Sequence, residues 1–137
     1  MKDLEEMKKA LVAAVVGLGL IIAMTATGLA HHSAAMFDQT KAITLEGVVK
    51  EWQLTNPHSW LLVAVTGKDG KVAVWGFEAE GPSTLLRAGI KPSDFKAGTR
   101  LTITGNPMKN GDKAAIWISA VRADGKKFDP RAGFAVK

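Results

Sequence analysis

The sequence predicts an all-β domain with one small helix inserted, a five-stranded OB-like β-barrel with the element order β-β-β-α-β-β. Five apolar stretches have the length or the two-residue period of strands. Turn signals of the Asp-Gly and Asn-Gly type separate several of them, and a single short helical stretch follows the third. A parallel sheet would need helices between most of its strands, whereas this order is that of the OB-fold. A flattened sandwich or an open meander is the alternative architecture.

The first three predicted strands are closely spaced. Ile43–Trp52 alternates apolar and polar residues, and Gly47 in its middle indicates a bulge or a sharp coil that bends the strand through both halves of the barrel wall. Trp60–Val65 and Val72–Glu78 follow as two apolar runs. Asp69-Gly70 between these runs is a strong hairpin signal.

The second half of the predicted barrel begins with a short helix within residues 81–89. A proline near its start and a glycine at its end mark its limits. Arg100–Gly105 and Ala114–Val121 are the fourth and fifth predicted strands, and the loop between them carries an Asn-Gly turn. The tail from Phe128 shows no period that predicts a further element.

Residues 1–30 have the three-part layout of a secretory signal peptide. A charged segment precedes the apolar run Ala10–Ala23, and the small residues Gly28 and Ala30 occupy the minus-three and minus-one positions of a cut before His31. The apolar stretch up to Ala30 also approaches the length that spans a bilayer. An inner-membrane anchor facing the periplasm is therefore the alternative to a cleaved, periplasmic or secreted protein.

This layout divides the chain into residues 1–30 for export, residues 31–42 as a polar lead-in and residues 43–137 as the barrel domain. The export segment contributes three acidic and three basic residues, which leaves 15 basic and 10 acidic residues and a net charge of +5 in the mature part. Because the bases are scattered and the domain is exported, we expect no nucleic-acid partner. Membrane contact is expected only transiently, through the signal peptide or anchor. The chain has no cysteine, so no disulfide supports the fold.

Two predicted loops present side chains that can bind a metal ion. In an OB-fold, strands 2 and 3 form the ligand face together with the loops that join strands 1 to 2 and 4 to 5. Here those loops are QLTNPHS and NPMKNGD, and each contains Asn-Pro followed by a potential ligand, His58 in the first and Met108 in the second. Proline stiffens each loop at that point. The alternative is ordinary turn chemistry, with His58 hydrogen-bonded within its own loop.

Export processing would add two further histidines to this set. Cleavage after residue 30 makes His31 the first residue, so that its free α-amine and its ring can chelate one metal ion, with His32 and His58 as further nitrogen ligands. Imidazole and amine ligands suit copper(II), nickel or zinc, and a thioether from Met36 or Met108 would favour copper(I). The alternative is that the His-His pair belongs to a disordered, soluble terminus.

The tryptophans are the candidates for binding a flat ligand. Trp60 and the loop residue Asn56 lie on the predicted ligand face, and exposed aromatic rings there could stack on a sugar or sit over a cation. By alternation, Trp52 and Trp117 lie opposite the apolar positions of their strands, so we expect one or both to be partly exposed and available to a ligand. The alternative is that all the tryptophans are core residues.

The sequence carries no enzyme signature. It lacks cysteine and tyrosine, a G-x-S-x-G elbow, an H-E-x-x-H motif and a phosphate-binding glycine loop. Glu78 and Glu80 are predicted to share one strand face, which is weak evidence for acid–base catalysis. We therefore expect a non-enzymatic protein, with a copper oxidase-like centre at the terminal histidine as a remote alternative.

The chain resembles a family of small exported bacterial proteins of unknown function, typified by an HHS start and an NPHSW loop. The resemblance rests on the stretches HHSAAMFD, ITLEGVVKEWQLTNPHSWLLV, WGFE and GTRLTITGNPMKNGDKAAIW. The family motifs fall on His31–Ser33 and Asn56–Trp60, and a common form of the family has tryptophan at the position of Leu54. The resemblance implies an exported OB-like barrel and no activity. A looser similarity links the chain to periplasmic copper carriers with OB-type barrels, which use His, Met and a capping Trp.

Two hypotheses follow for the function. The first is an exported binding protein that holds a transition metal such as copper through His31, His32 and His58, with Met108 as a soft ligand. The second is an interaction module for an envelope protein or a small ligand, in which the histidines are structural.

Overall fold

The structure is a computed structural model that describes residues 4–9, 11 and 34–134. The chain divides into two compact units, Met1–Ala35 and Met36–Lys137. Residues 4–9 are helical and exposed. Within the described residues, no helix combines the length and apolar character that crossing a membrane requires. The apolar run of the predicted signal peptide and its cut before His31 lie, residue 11 aside, outside the described residues.

Over residues 36–134, the second unit contains six strands and one short α-helix, together with two 3₁₀ turns. They are β1 (Ile43–Gln53), β2 (His58–Thr66), β3 (Val72–Glu80), α1 (Pro82–Arg87), a 3₁₀ turn (Pro92–Phe95), β4 (Arg100–Pro107), β5 (Ala114–Arg122), β6 (Lys127–Phe128) and a 3₁₀ turn (Ala132–Phe134). The predicted order β-β-β-α-β-β is confirmed. The sequence did not predict β6, because a strand of two residues has no readable period.

Strand pairing closes the five main strands into a barrel. β1 pairs antiparallel with both β2 and β4, β2 pairs with β3, and β4 pairs with β5. A parallel pairing of β3 with β5, in which Gly76–Glu78 lie opposite Ala114–Ile116, completes the ring. The OB-like barrel predicted from the sequence is therefore confirmed over the open meander.

β1 contains an irregularity, as predicted, but it lies beyond Gly47. At Gly47 the strand passes so close to β2 that an added Cβ would lie 2.6 Å from the carbonyl oxygen of Ala64. The register against β2 shifts between Val49 and Glu51, where one extra residue enters the strand. Because one extra residue reverses the alternation, Val49 and Trp52 face the same side of β1.

The barrel interior holds the hydrophobic core. Its largest fully buried members include Val49, Leu61, Val63, Phe77, Leu85, Phe95, Ile103 and Trp117. The first 3₁₀ turn brings Phe95 into this core, where its ring lies 5.3 Å from that of Trp117 and 4.6 Å from that of Phe128. The aromatic edge and face contacts make this end of the core the most densely aromatic part of the domain.

Part of the predicted lead-in packs against the barrel. Phe37 forms a β-bridge with Met108, and only 3% of its surface is exposed. The N–H of Asp38 donates to the carbonyl of Pro107 at 2.8 Å, and the N–H of Lys109 donates to that of Met36 at 3.0 Å. The chain from Met36 onward is thus anchored along the end of β4 and the β4–β5 loop.

A buried carboxylate ties the first 3₁₀ turn to the β5–β6 hairpin. Asp94 accepts hydrogen bonds from Lys126 Nζ at 2.7 Å, from Arg122 Nη1 at 3.2 Å and from the N–H of Lys91 at 2.8 Å. Burial alone raises the pKa of the Asp94 carboxyl. The hydrogen bonds from Lys126 and Lys91, with the charges of Lys126 and Arg122, outweigh burial and hold that pKa below its ordinary value.

We predict that Asp94 makes the stability of the barrel sensitive to acid. A carboxyl whose pKa is lowered by folding stabilises the folded state above its unfolded pKa near 4, and this contribution is lost as the pH falls through the folded pKa. The Asp94→Asn variant should lose about 1–3 kcal/mol of unfolding free energy at pH 7. Its unfolding free energy should also fall less steeply than that of the wild type below pH 4.

Urea unfolding measured between pH 2 and pH 7 checks this prediction. Asp69→Asn is the matched control, because Asp69 lies in the exposed β2–β3 turn and accepts only the local N–H of Lys71. If the unfolding free energies of the wild type and Asp94→Asn fall in parallel as the pH is lowered, Asp94 is not the source of the acid sensitivity.

Candidate functional site

His58 is the first residue of β2 rather than part of the loop before it. β3 extends as far as Glu80, which lies opposite His58 in the ladder. β2 therefore has a pairing partner from His58 onward. The predicted strand started at Trp60 because the apolar run begins there. The cross-strand partners of His58 and Ser59, the two residues before Trp60, cannot be read from the sequence. His58 is therefore held by the sheet.

The loop that leads into His58 is fastened at both ends. Thr55 Oγ1 donates to the carbonyl of His58 at 2.6 Å, and the hydroxyl of the buried Ser59 donates to the carbonyl of Thr55 at 3.3 Å. The Asn56–Pro57 peptide bond is cis. Asn56 is exposed, and its Oδ1 would lie 2.7 Å from a Cβ atom added to Gly81. These contacts fix the backbone on which the imidazole is mounted.

The Nδ1 atom of the His58 imidazole contacts the carboxylate of Glu78, and the contact is an ion pair when the ring is protonated and a hydrogen bond when Nδ1 of the neutral ring carries the proton. Both residues lie at even-numbered positions of their strands, on the face opposite the core residues Leu61 and Phe77. The side chain of His58 is 27% exposed, whereas that of Glu78 is only 8% exposed. A buried carboxylate thus holds one ring nitrogen, and the other ring nitrogen, Nε2, is the atom that remains for a ligand.

The surroundings of Glu78 explain why it needs a charged or donor partner. Its cross-strand neighbour on β2 is Trp60, and its neighbour on β5 is Ile116. The ring of Trp60 lies so close to Gly76 that a Cβ atom added to Gly76 would be 3.2 Å from the ring. A carboxylate between large apolar side chains is costly to bury without hydrogen bonds. His58 supplies one of its partners.

The two methionines are fixed at the other loop, away from His58 in the strand register. The N–H of Met108 donates to the carbonyl of Ala114 at 3.0 Å, which places it level with Gly76 on β3. His58 is level with Glu80, four residues further along the strand. Met36 is 52% exposed, and its carbonyl accepts the N–H of Lys109. The register thus pairs Met108 with Phe37 and does not bring either methionine next to His58.

The remaining predicted ligands, His31 and His32, lie outside the described residues. Across residues 4–9, 11 and 34–134, no three histidine, aspartate or glutamate side chains are arranged to hold a metal ion. A complete site around His58 would therefore take its other ligands from the undescribed part of the chain or from solvent.

The structure separates the candidate tryptophans. Trp60 is half-buried on the same face as His58. Of the two tryptophans expected to be partly exposed, Trp117 is not, because it faces the core beside Ala115 and only 1% of its surface is exposed. Trp52 is half-buried, but the extra residue in β1 turns it toward the core, where its ring packs against Phe95 and Trp117. Neither of these two rings is presented on the face that carries His58.

Sequence reasoning missed the partnership of Glu78 with His58. The two residues are far apart in sequence, and only the β2–β3 register brings them onto one face. The available signal was an acidic residue within the apolar run Val72–Ala79, since a charge in a predicted buried strand requires a partner. That partner is His58, the histidine predicted in the loop between the first two strands.

These features define a small closed β-barrel with a histidine–carboxylate pair mounted on the outer face of its β2–β3 hairpin. The chain belongs to the family of unknown function DUF6152, whose model matches residues 19–117. That range includes both HHS and NPHSW as well as all five main strands except the end of β5. No curated protein and no solved structure gives a significant match.

We predict that Glu78 selects the ring tautomer of His58. With its imidazole neutral, His58 should carry its proton on Nδ1, which donates to Glu78 and leaves Nε2 as the lone-pair nitrogen. The Glu78→Leu variant removes this acceptor, and the tautomer should shift toward the mixture found in free histidine. Glu78→Gln is the control, because its side-chain carbonyl can still accept the Nδ1 proton.

Long-range ¹H–¹⁵N NMR correlations of the His58 ring check this prediction directly. An Nε2–H tautomer in the wild type, or an unchanged tautomer in Glu78→Leu, would show that the contact with Glu78 does not orient the imidazole.

Proposed function

We propose that this protein is an exported, non-enzymatic metal-binding protein that holds copper(II) through His58 and the two histidines of its mature N-terminus, His31 and His32. The observation that carries the proposal is the ion pair of His58 Nδ1 with the buried Glu78. Metal-binding histidines almost always give their second ring nitrogen to a carboxylate, a carbonyl or water, which fixes the ring and strengthens the ligand. His58 has that arrangement, with Nε2 as the metal-binding atom.

The chemistry of the donor set favours copper(II) in this proposal. Imidazole and amine nitrogens suit copper(II), and a histidine at a free N-terminus offers an amine and a ring to the same ion. The described residues contain no cysteine and no cluster of carboxylates for a closed zinc site. The methionines are level with Gly76 rather than His58, which argues against a thioether ligand and therefore against copper(I) as the preferred state.

The alternative function is a binding module for an envelope protein or a small ligand. The observation that favours it is the burial of Glu78, since a buried carboxylate is itself sufficient reason for a structural histidine partner. Trp60 on the same face would then be the contact residue for the ligand. The two proposals differ in what removal of His58 does to metal binding.

We predict that the protein recovered after export begins at His31 and binds copper(II) more tightly than a free His-His-Ser peptide does. N-terminal sequencing and intact mass establish the first residue, and competition titration measures the affinity. Removing the carboxylate in Glu78→Leu should weaken binding by about 10–100-fold, the usual effect of losing the partner of a metal-binding histidine. His58→Ala should weaken it at least as much.

Glu80→Gln is the matched control. Glu80 lies opposite His58 in the ladder, so this substitution removes a neighbouring charge without removing a ligand. Unfolding free energies measured on the metal-free variants separate loss of the site from loss of the fold. If the mature protein binds copper(II) no better than the peptide, or if His58→Ala leaves the affinity unchanged, the histidines are structural and the binding-module function stands instead.

A further inference from the structure

The β2–β3 hairpin extends beyond the point where the barrel closes. β5 pairs with β3 only from Gly76 to Glu78, although β3 begins at Val72. The first four residues of β3 are therefore bonded to β2 on one side and have no strand on the other, as far as the described residues go. This stretch, Val72–Trp75, is called the open edge below.

The hydrogen-bond phase shows which backbone groups point out from the open edge. The turn is closed by the N–H of Gly67, which donates to Lys71 at 2.8 Å. Bonded pairs alternate in an antiparallel ladder, so Ala73 and Trp75 bond to β2, while Val72 and Val74 direct their N–H and C=O groups away from it. The N–H of Gly76 follows the same phase, because it donates outward to Lys113 at 3.0 Å.

The side chains of the open edge are those of a strand that accepts another strand. Val72 is 66% exposed and Val74 is 39% exposed, and both are β-branched. Natural proteins usually protect such an edge with a proline, a bulge or an inward-pointing charge. None of these occurs within Val72–Trp75. A row of unpaired donors and acceptors beside exposed valines is the surface that β-strand addition uses.

A groove of about 340 Å³ runs along the open edge. Ala73 and Trp75 line it, and Lys71 and Lys113 lie at it as well. In the part of the chain that the structure describes, neither lysine has a carboxylate partner. Asp69 also lines the groove, and its Oδ1 accepts the N–H of Lys71 at 3.1 Å. The groove is thus lined by apolar side chains and by two lysines against one aspartate.

We propose that the open edge is a docking site for an extended segment of a partner protein that carries an apolar side chain between two carboxylates. The segment adds a strand to β3 by bonding to Val72 and Val74. Its apolar side chain lies over Trp75, and its carboxylates reach Lys71 and Lys113. A second copy of this chain fits less well, because it would bring a second pair of lysines to the same groove in a domain that already carries a net charge of +5.

The test uses the full exported protein labelled with ¹⁵N and two synthetic probes, acetyl-Glu-Thr-Val-Thr-Glu-amide, which carries its glutamates and its valine on one face of a strand, and its counterpart with lysine in place of both glutamates. The acidic probe should bind saturably and slow the hydrogen exchange of the Val72 and Val74 amides. The amides of Ala73 and Trp75 already bond to β2 and should not change. The basic probe should bind at least tenfold more weakly.

Two sets of variants assign the binding to the edge and to the lysines. Val74→Pro removes only an outward N–H and should weaken the acidic probe about tenfold, whereas Val74→Ala should not. Replacing Lys71 and Lys113 together with glutamate should reverse the preference between the two probes. This charge reversal does not touch the strand backbone, so it decides the question even if Val74→Pro fails to fold.

Several results would overturn the proposal. These are no saturable binding of the acidic probe, equal binding of the two probes, or exchange that slows at residues other than Val72 and Val74. Sedimentation equilibrium of the protein alone supplies the last control. A dimer that protects the same two amides without a probe would make a second copy the occupant and would exclude the acidic partner.

Discussion

The architecture depends on the parallel pairing of β3 with β5. Only Gly76–Glu78 of β3 takes part, yet this contact converts a curled sheet into a closed barrel and shuts the interior around the aromatic cluster of Phe95 and Trp117. The same contact places Glu78 between β2 and β5 and buries its carboxylate. It also ends early, which leaves the first residues of β3 as an open edge. One short ladder thus determines the core, the buried charge and the unpaired strand.

The buried carboxylate is what distinguishes His58 from an ordinary strand residue. A histidine at the start of a strand is free to choose its rotamer and its tautomer. The ion pair with Glu78 removes that freedom by engaging Nδ1, so that a single nitrogen with a fixed direction remains. A structural ion pair and a metal ligand share this geometry, and they differ in whether Nε2 acquires an ion. The proposed function depends on that second step.

The fold was readable from the sequence because the barrel strands are amphipathic and separated by turns. The period of Ile43–Trp52, the Asp69-Gly70 hairpin and the single helix after the third strand were sufficient to predict the barrel order. The extra residue after Val49 was not readable, because a bulge changes the phase of a strand without a sequence signature, and it reversed the inferred direction of Trp52. The anchoring of Phe37 on Met108 was missed for a similar reason, since a single bridge has no period.

The candidate site was only half readable. His58 was identified from its loop motif, and the orientation of its ring depends on a residue twenty positions away that no local pattern connects to it. The β2–β3 register supplies that connection, and the same register moves Met108 away from His58. Long-range pairing, rather than local propensity, therefore decides which predicted ligands belong together.

The most direct test of the central claim is pulsed electron paramagnetic resonance of the exported protein loaded with one equivalent of copper(II). The modulation from the remote ring nitrogens counts the coordinated imidazoles. The account predicts that all three histidines of the chain contribute in the wild type, and that His58→Ala loses one imidazole while the signal of the N-terminal pair persists. The same imidazole count with and without His58 would contradict the account and leave Glu78 and His58 as a structural ion pair.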